Sequence, residues 1–540
     1  MRKRFTLLLS LLVLLAVSMQ ARYAFEVDGI YYGKYIDTVD SVYVTYKGEN
    51  MYTPSYSGEV TIPATVEYNG HTYKVMGIGS CVFFDCKVTK VNLPESLYVL
   101  EPSAFWNCTT IGEITLPDGL AVIGGSAFMG CTNLTTLNIG NNVKKIYGYA
   151  FYGTQLKHIT VPKTVDCVTG ETFTGMERLE AIDVDDENAN YCSIDGVLYV
   201  KDKSELLAVP VAKLNDYAIP DFVEKLGGNV FYGSAAEEIN IPASVTDMSL
   251  FTFNNMPNLT NVNVAEGNTK YHDEDGVLFE SASKELMFYP RGRTETSYSV
   301  PEGTLKVGNL SVAFCYNLQE VTIPGSVECI GDSAFHCCFD MQQVHFNEGN
   351  LKQLGEHSFG GCKDMESFTI PNTVTHLDFG VLESCYDLKK LVIGSSVELI
   401  GAACFCNDED LRDVYVLNPV PPTFEDKWNK NFGDKTYTEG TLYVPVGCVE
   451  AYRNSPEWKN FDNIVEGQPL GVKTPVASIE PFVRVIGGKV VVDNLAEGSK
   501  VSVYDSLGRC IYLGADNTVE LPGNGIYVVK AGSTTTKVMR

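Results

Sequence analysis

Sixteen cysteines and seven histidines are the side chains of this 540-residue chain best suited to nucleophilic or metal chemistry. Their spacing argues against both roles. Cys86, Cys108, Cys131, Cys338 and Cys362 each follow a recurring motif phenylalanine by three residues, and Cys385 continues their period after Leu382, so they read as one stacked column in which a small, weakly polar thiol fills space. No Cys-x-x-Cys pair occurs, and with it goes the usual sequence mark of a zinc site. The histidines are scattered, with His158 and His345 at outward strand positions. The chain has no His-Glu-x-x-His, no Gly-Lys-Ser/Thr phosphate loop, no dinucleotide glycine fingerprint and no Gly-x-Ser-x-Gly elbow. Two acidic runs, Asp183-Val-Asp-Asp-Glu187 and His272-Asp-Glu-Asp275, offer hard oxygen ligands, but their spacing fits no calcium loop and solvated turns are expected. These residues lead to the expectation of a protein that is not an enzyme, with no catalytic residue, no metal and no cofactor.

The formal charge of -26 lies almost wholly before residue 473, since residues 473–540 hold 8 basic against 6 acidic side chains. Such a surface repels nucleic acid and anionic membranes, so neither is an expected partner. At the amino terminus Arg2-Lys-Arg4 precedes an apolar run from Phe5 to Val17 that is too short to span a bilayer. Residues 1–21 therefore read as a signal peptide, and the mature chain is expected to carry no integral membrane segment.

The elements that must position these residues repeat. Phe83, Phe105, Phe128, Phe151 and Phe173 recur at steps of 22 or 23 residues, and Phe231, Phe253, Phe314, Phe335, Phe359 and Phe405 stand in similar motifs. A fixed period of this size means coils that cannot bury their own apolar side and must stack on their neighbours. The phenylalanines, several preceded by alanine as in Ala127-Phe128 and Ala334-Phe335, are expected to form a stacked spine. Each coil also alternates apolar and polar residues, as in Leu134-Thr-Thr-Leu137-Asn-Ile139 and Leu388-Lys-Lys-Leu391-Val-Ile393, which marks a half-buried strand. Its outward positions form two columns. One carries Glu113, Thr136, His158, Glu320, Gln343 and Lys390; the other, two residues on, carries Thr115, Asn138, Thr160, Thr322, His345 and Tyr415. These twelve residues are the candidate binding surface.

The recurring order of Ile-Pro, Ile-Gly and Ala-Phe-x-x-Cys resembles the leucine-rich repeats of the BspA type, found on bacterial and protist surface proteins. The resemblance implies a repeat solenoid over residues 60–414, with residues 22–59 and 415–467 as its caps. Two stretches near 191–210 and 271–290 repeat each other: Asp195-Gly-Val-Leu-Tyr199 matches Asp275-Gly-Val-Leu-Phe279. Both read as hairpins projecting from the stack, either for recognition or as duplicated structural units.

Past a linker at 468–472, residues 473–540 show short Val-rich segments between turn residues, which suggests a small all-β sandwich. Val501-Ser-Val-Tyr-Asp505 with Gly508-Arg509, followed by Leu521-Pro-Gly-Asn-Gly-Ile-Tyr527, resembles the carboxy-terminal sorting domain of type IX secretion in Bacteroidetes. That resemblance implies passage to the outer-membrane surface or beyond, with the secretion machinery as a partner. The expected function is an exported, adhesin-like binding protein whose solenoid engages protein or glycan ligands on host or bacterial surfaces. The alternatives are a self-associating surface-layer component and a hydrolase with an unrecognised site.

Overall fold

The computed structural model describes residues 23–34, 40–48, 50–425, 431–467, 482–486, 489–493, 499–516, 518–523, 525–531 and 534–539. The expected signal peptide and linker lie outside the described residues. The chain divides into two compact units between Gly467 and Gln468.

The first unit is a β-solenoid. Each coil contributes a strand of three or four residues, a two-residue strand on another side, and a turn that carries the large apolar residue between them. Parallel neighbours keep register from coil to coil: Thr136 lies beside Glu113, and Val122 beside both Val99 and Lys145. The turns add backbone hydrogen bonds along the stack, such as Phe105 N–H to Ala127 O at 2.7 Å and Phe128 N–H to Ala150 O at 2.8 Å. Alternation in the sequence thus becomes an apolar side facing the coil interior and a polar side facing out.

Aromatic rings stack inside. Phe83 and Phe105 lie 4.7 Å apart at 9°, Phe105 and Phe128 5.2 Å at 10°, Phe128 and Phe151 6.2 Å at 12°, and Phe335 and Phe359 5.0 Å at 4°. Phe231 stacks on Phe253, and Phe405 on Phe432. Phe173 is buried but sits in a 3₁₀ turn, Gly170–Phe173.

Phe314 does not belong to this spine. Val312 N–H donates to Ala334 O, just as Phe335 N–H donates to Ser358 O, and Val312 is fully buried. The Ala313-Phe314 pair is displaced by two residues from the motif it resembles in sequence, so Phe314 falls where the chain turns left-handed (φ 63°). Leu382, fully buried, likewise fills the spine place three residues before Cys385.

The cysteine column is buried, and all 16 cysteines of the chain are free. Its thiols point at carbonyls of the preceding coil: Cys108 Sγ donates to Phe83 O (2.9 Å), Cys131 to Phe105 O (3.1 Å), Cys338 to Val312 O (3.1 Å) and Cys385 to Phe359 O (3.3 Å). Burial pushes the thiols of Cys362 and Cys385 well above their ordinary range.

The two insertions are not projecting hairpins. Tyr191–Ile194, Val197–Val200 and Glu205–Ala208 form an antiparallel meander whose last strand pairs in parallel with Lys225–Leu226 and so enters the two-residue ladder. Tyr271–Glu274, Val277–Glu280 and Glu285–Phe288 repeat the arrangement, joining Lys306–Val307. Each meander crosses the interior as a wall. Leu198 packs in the core that runs from Phe25, whereas Val197 and Tyr199 pack in the next segment. Leu278 closes that second segment, and Val277 and Phe279 begin the third. A strand buried on both faces has no polar face to show, and that is why these runs read Val-Leu-Tyr and Val-Leu-Phe rather than alternating.

The stack begins with antiparallel strands Phe25–Val27, Ile30–Lys34 and Ser41–Thr45, the last pairing in parallel with His71–Ile78. Its other end is closed by Trp458, fully buried, whose Nε1–H donates to Pro422 O at 2.8 Å. Thr441–Val444 and Asn463–Glu466 add two more strands to the outward ladder.

The second unit contains, among the described residues, a three-stranded and a four-stranded antiparallel sheet. Val490, Val492 and Val519 of one meet Val501, Val503 and Val529 of the other in a shared core.

Candidate functional site

The outward residues from Glu113 onward fall in five short parallel ladders. Glu113 stands beside Thr136 and Thr115 beside Asn138; His158 stands beside Ala181 and Thr160 beside Asp183. A third pair of strands carries Glu238, Asn240, Asn261 and Asn263. Glu320 and Thr322 lie between Ser297 and Ser299 on one side and Gln343 and His345 on the other. Lys390 lies between Ser367 and Asp413, and Tyr415 between Val392 and Tyr443. The meanders cause two of the interruptions: Ile182 N–H donates to Gly196 O and Val262 N–H to Gly276 O, so the turn of each insertion occupies the edge where another coil would pair.

Within a ladder the polar groups largely satisfy one another. Asn138 Nδ2 donates to Thr115 Oγ1 (3.3 Å), Asn263 Nδ2 to Asn240 Oδ1 (3.1 Å) and Asn463 Nδ2 to Thr441 Oγ1 (2.8 Å). Lys157 Nζ holds Glu180 at 2.7 Å and keeps that carboxyl below its usual range. Where the ladder nears the carboxy-terminal cap it turns aromatic: the rings of Tyr415 and Tyr443 stack at 4.3 Å and 9°, with Lys390 Nζ 5.3 Å from the Tyr415 centroid. Burial, the larger cause, and the neighbouring ring push the Tyr415 hydroxyl up. Tyr443 was missed as a partner because Leu442-Tyr-Val-Pro445 reads as part of a cap, although its alternation is that of another coil.

Several of the side chains that could do chemistry are engaged in turns and ion pairs. Among the described residues no group of three His, Cys, Asp or Glu could hold a metal ion. Asp185 Oδ1 accepts the Glu187 N–H (2.9 Å), Glu187 pairs with Lys163 (2.7 Å), Asp273 Oδ1 accepts the Val264 N–H (2.8 Å) and Asp275 pairs with Arg293 (2.9 Å). Asp185, Glu187, Asp273 and Asp275 are thus engaged in turns and ion pairs. His357 pairs with Glu383 at 3.1 Å. Burial, then the charges of Glu383 and Asp408, push the Cys406 thiol up to about 12, which opposes the thiolate that a nucleophile needs. Sequence reading also overlooked Asn188 and Asn268, whose amides reach back to Pro162 O and Val165 O, and to Pro242 O and Val245 O. Both sit at matching places just before an inserted meander, which was the available signal.

What this arrangement offers is a repetitive polar surface with one aromatic stretch. The chain is similar over 73% of its length to 95% of a leucine-rich cell surface protein from Faecalibacterium prausnitzii, at 24% identity and a TM-score of 0.40. It is similar over 82% of its length to 98% of the pneumococcal vaccine antigen PcpA, at 18% identity and a TM-score of 0.41. A leucine-rich repeat protein from Bacteroides ovatus shares 19% identity, with 75% of this chain and 99% of that one covered and a TM-score of 0.29. Likenesses of this degree say nothing about a ligand. No curated protein matches the chain. The model of the BspA type leucine rich repeat region matches in six copies, over residues 50–191, 211–289 and 284–412. Those matches cover more than half of the sequence, and with the stacked coils they show that the chain belongs to the BspA type leucine-rich repeat family.

Proposed function

We propose that this protein is exported to the cell surface or beyond and binds macromolecules there, adhesin-like, through the outward strand ladders, with residues 473–540 acting as a type IX sorting domain. The observation that carries the reading is the outward face itself. Its residues stand in register over consecutive coils, as at Ser297, Glu320 and Gln343 and at Ser367, Lys390 and Asp413, with Glu320 and Gln343 exposed. Many weak contacts at a repeated spacing suit an extended protein or glycan ligand. The Arg-Lys-Arg leader followed by an apolar run supports export, and no helix among the described residues is long and apolar enough to cross a membrane. The antiparallel strands after Gln468 suit the sorting resemblance.

The chain from residue 22 onward, applied to an array of matrix proteins and glycans, is expected to give selective, saturable binding. Replacing Glu320, Gln343 and His345 together by alanine should weaken it with an unchanged melting temperature. No binding to any array component, combined with concentration-dependent assembly of the chain on itself, would turn the reading into that of a structural surface-layer component.

A further inference from the structure

The two insertions build the same seam twice, and the copies differ at two decisive places. Glu205-Leu-Leu-Ala-Val-Pro210 matches Glu285-Leu-Met-Phe-Tyr-Pro290, so Val211 and Arg291 take the same position after the proline. Lys225 and Lys306 then begin equivalent strands. Gly233 and Phe314 both stand two residues beyond a spine residue, Phe231 and Val312, and both are left-handed (φ 79° and 63°). Gly130, Gly153 and Asn107 hold this place in other coils, as residues that tolerate the conformation. A phenylalanine there is strained, and such strain persists only where the surroundings hold it.

At the first seam Val211 and Gly233 leave a cavity of about 310 Å³. At the second, Arg291 and Phe314 help line a much smaller space, about 70 Å³, walled by Leu250, Phe251, Met287 and Phe288. The Arg291 guanidinium lies 5.0 Å from the Phe314 ring centroid. Its Nε is buried with no acceptor, and among the described residues it has no carboxylate partner. Burial pushes this guanidinium below its ordinary range. Arg293, two residues on, also has a buried Nε without an acceptor but is paired with Asp275 at 2.9 Å and Glu295 at 3.3 Å, so the two differ in the carboxylate partner. In a chain with 67 acidic side chains, a half-buried arginine with none of them beside it is costly and calls for a reason. Building the seam is not that reason, because the first copy folds with valine in its place. Leu250 and Phe251, adjacent on the wall of the same space, are 50% and 42% exposed.

We propose that the second seam binds a carboxylate carried on an apolar segment of a partner protein, with Arg291 donating to the carboxylate and Leu250 and Phe251 covering the adjoining apolar side chains. This rests on the binding role above but places the contact on the spine turns rather than on the strand ladders. The missing anion on the chain itself is then supplied by the partner, and a guanidinium held over an aromatic ring is preorganised to receive it.

The test uses the full chain and 3-phenylpropanoate as a probe, with its neutral amide as control, followed by saturation-transfer NMR. The acid is expected to bind saturably and the amide at least about tenfold more weakly, the scale of one charge-assisted hydrogen bond. Arg291→Val, which copies the first seam, should lose the preference for the acid while melting no earlier than the parent. Leu250→Ser with Phe251→Ser, two exposed changes, should weaken the acid several-fold and keeps the test open should Arg291→Val fail to fold. Alanine changes at Glu320, Gln343 and His345 should leave probe binding unchanged, which separates failure here from failure of the ladder reading. No response to the acid, equal response to acid and amide, or an acid preference that survives Arg291→Val or the double serine change would overturn the proposal.

Discussion

Asp408 occupies, in the coil of Phe405, the place three residues after the spine that Cys338, Cys362 and Cys385 hold in the coils before it. It is fully buried; Oδ1 accepts the Cys385 N–H at 2.8 Å and Oδ2 has no partner. Burial is the main reason its carboxyl is raised well above the ordinary range, and Glu383 adds to the effect. A raised folded-state value means its stabilising contribution is full below the ordinary carboxyl range and is lost as pH rises through the folded-state value. Asp408→Asn should therefore raise the melting temperature at neutral pH, with a gap over the parent that closes toward about pH 4, where the unfolded carboxyl also protonates. A gap independent of pH in parallel thermal melts would mean the carboxyl titrates alike in the folded and unfolded chain, so that the fold does not raise it. Phe128→Ala empties a ring held between two stacked neighbours and should cost about 3–5 kcal/mol in denaturant titration. A loss below ~1 kcal/mol would place Phe128 outside the load on the core.

At the scale of elements, the insertions are where pattern reading and structure part. Asp195-Gly and Asp275-Gly announce hairpin turns, and the turns are there, with Gly196 and Gly276 left-handed (φ 73° and 74°). Short-range chemistry could not say whether those hairpins leave the stack or enter it. The unbroken apolar runs were the signal for entry, since a hairpin in solvent would show a polar face. Leu198 packs in one core segment while its neighbours Val197 and Tyr199 pack in the next. Leu198→Ala is accordingly expected to cost about 2–5 kcal/mol. A change within about 0.5 kcal/mol, the usual effect at a surface site, would return the insertion to the status of an appendage.

At the scale of the molecule, the first unit has its own closing elements. Trp458, Phe461 and Phe432 pack together beneath the last strands, before Gly467. Deleting residues 468–540 should leave a solenoid that melts cooperatively at an unchanged temperature, because its final coil is already covered. In the native host the proposed sorting role predicts that the shortened protein is lost from the surface and accumulates behind the outer membrane. Protease accessibility on intact cells decides this: equal exposure of both forms would leave the second unit a merely structural role, and a shortened protein that fails to fold would put the true cap beyond Gly467.

The period of the coils, the alternation of their strands and the column of cysteines were set by local sequence, because one coil's side chains repeat at fixed intervals and stacking copies the pattern. The register of the outward residues followed from the same period, down to pairs such as Glu320 with Gln343. Only the tertiary structure decided that Phe314 leaves the spine to Val312, that the insertions wall off the core into segments, and that Arg291 stands without a carboxylate. Each of these depends on what lies across a seam from residues distant in the chain, and a repeat read one coil at a time holds no record of its neighbours' exceptions.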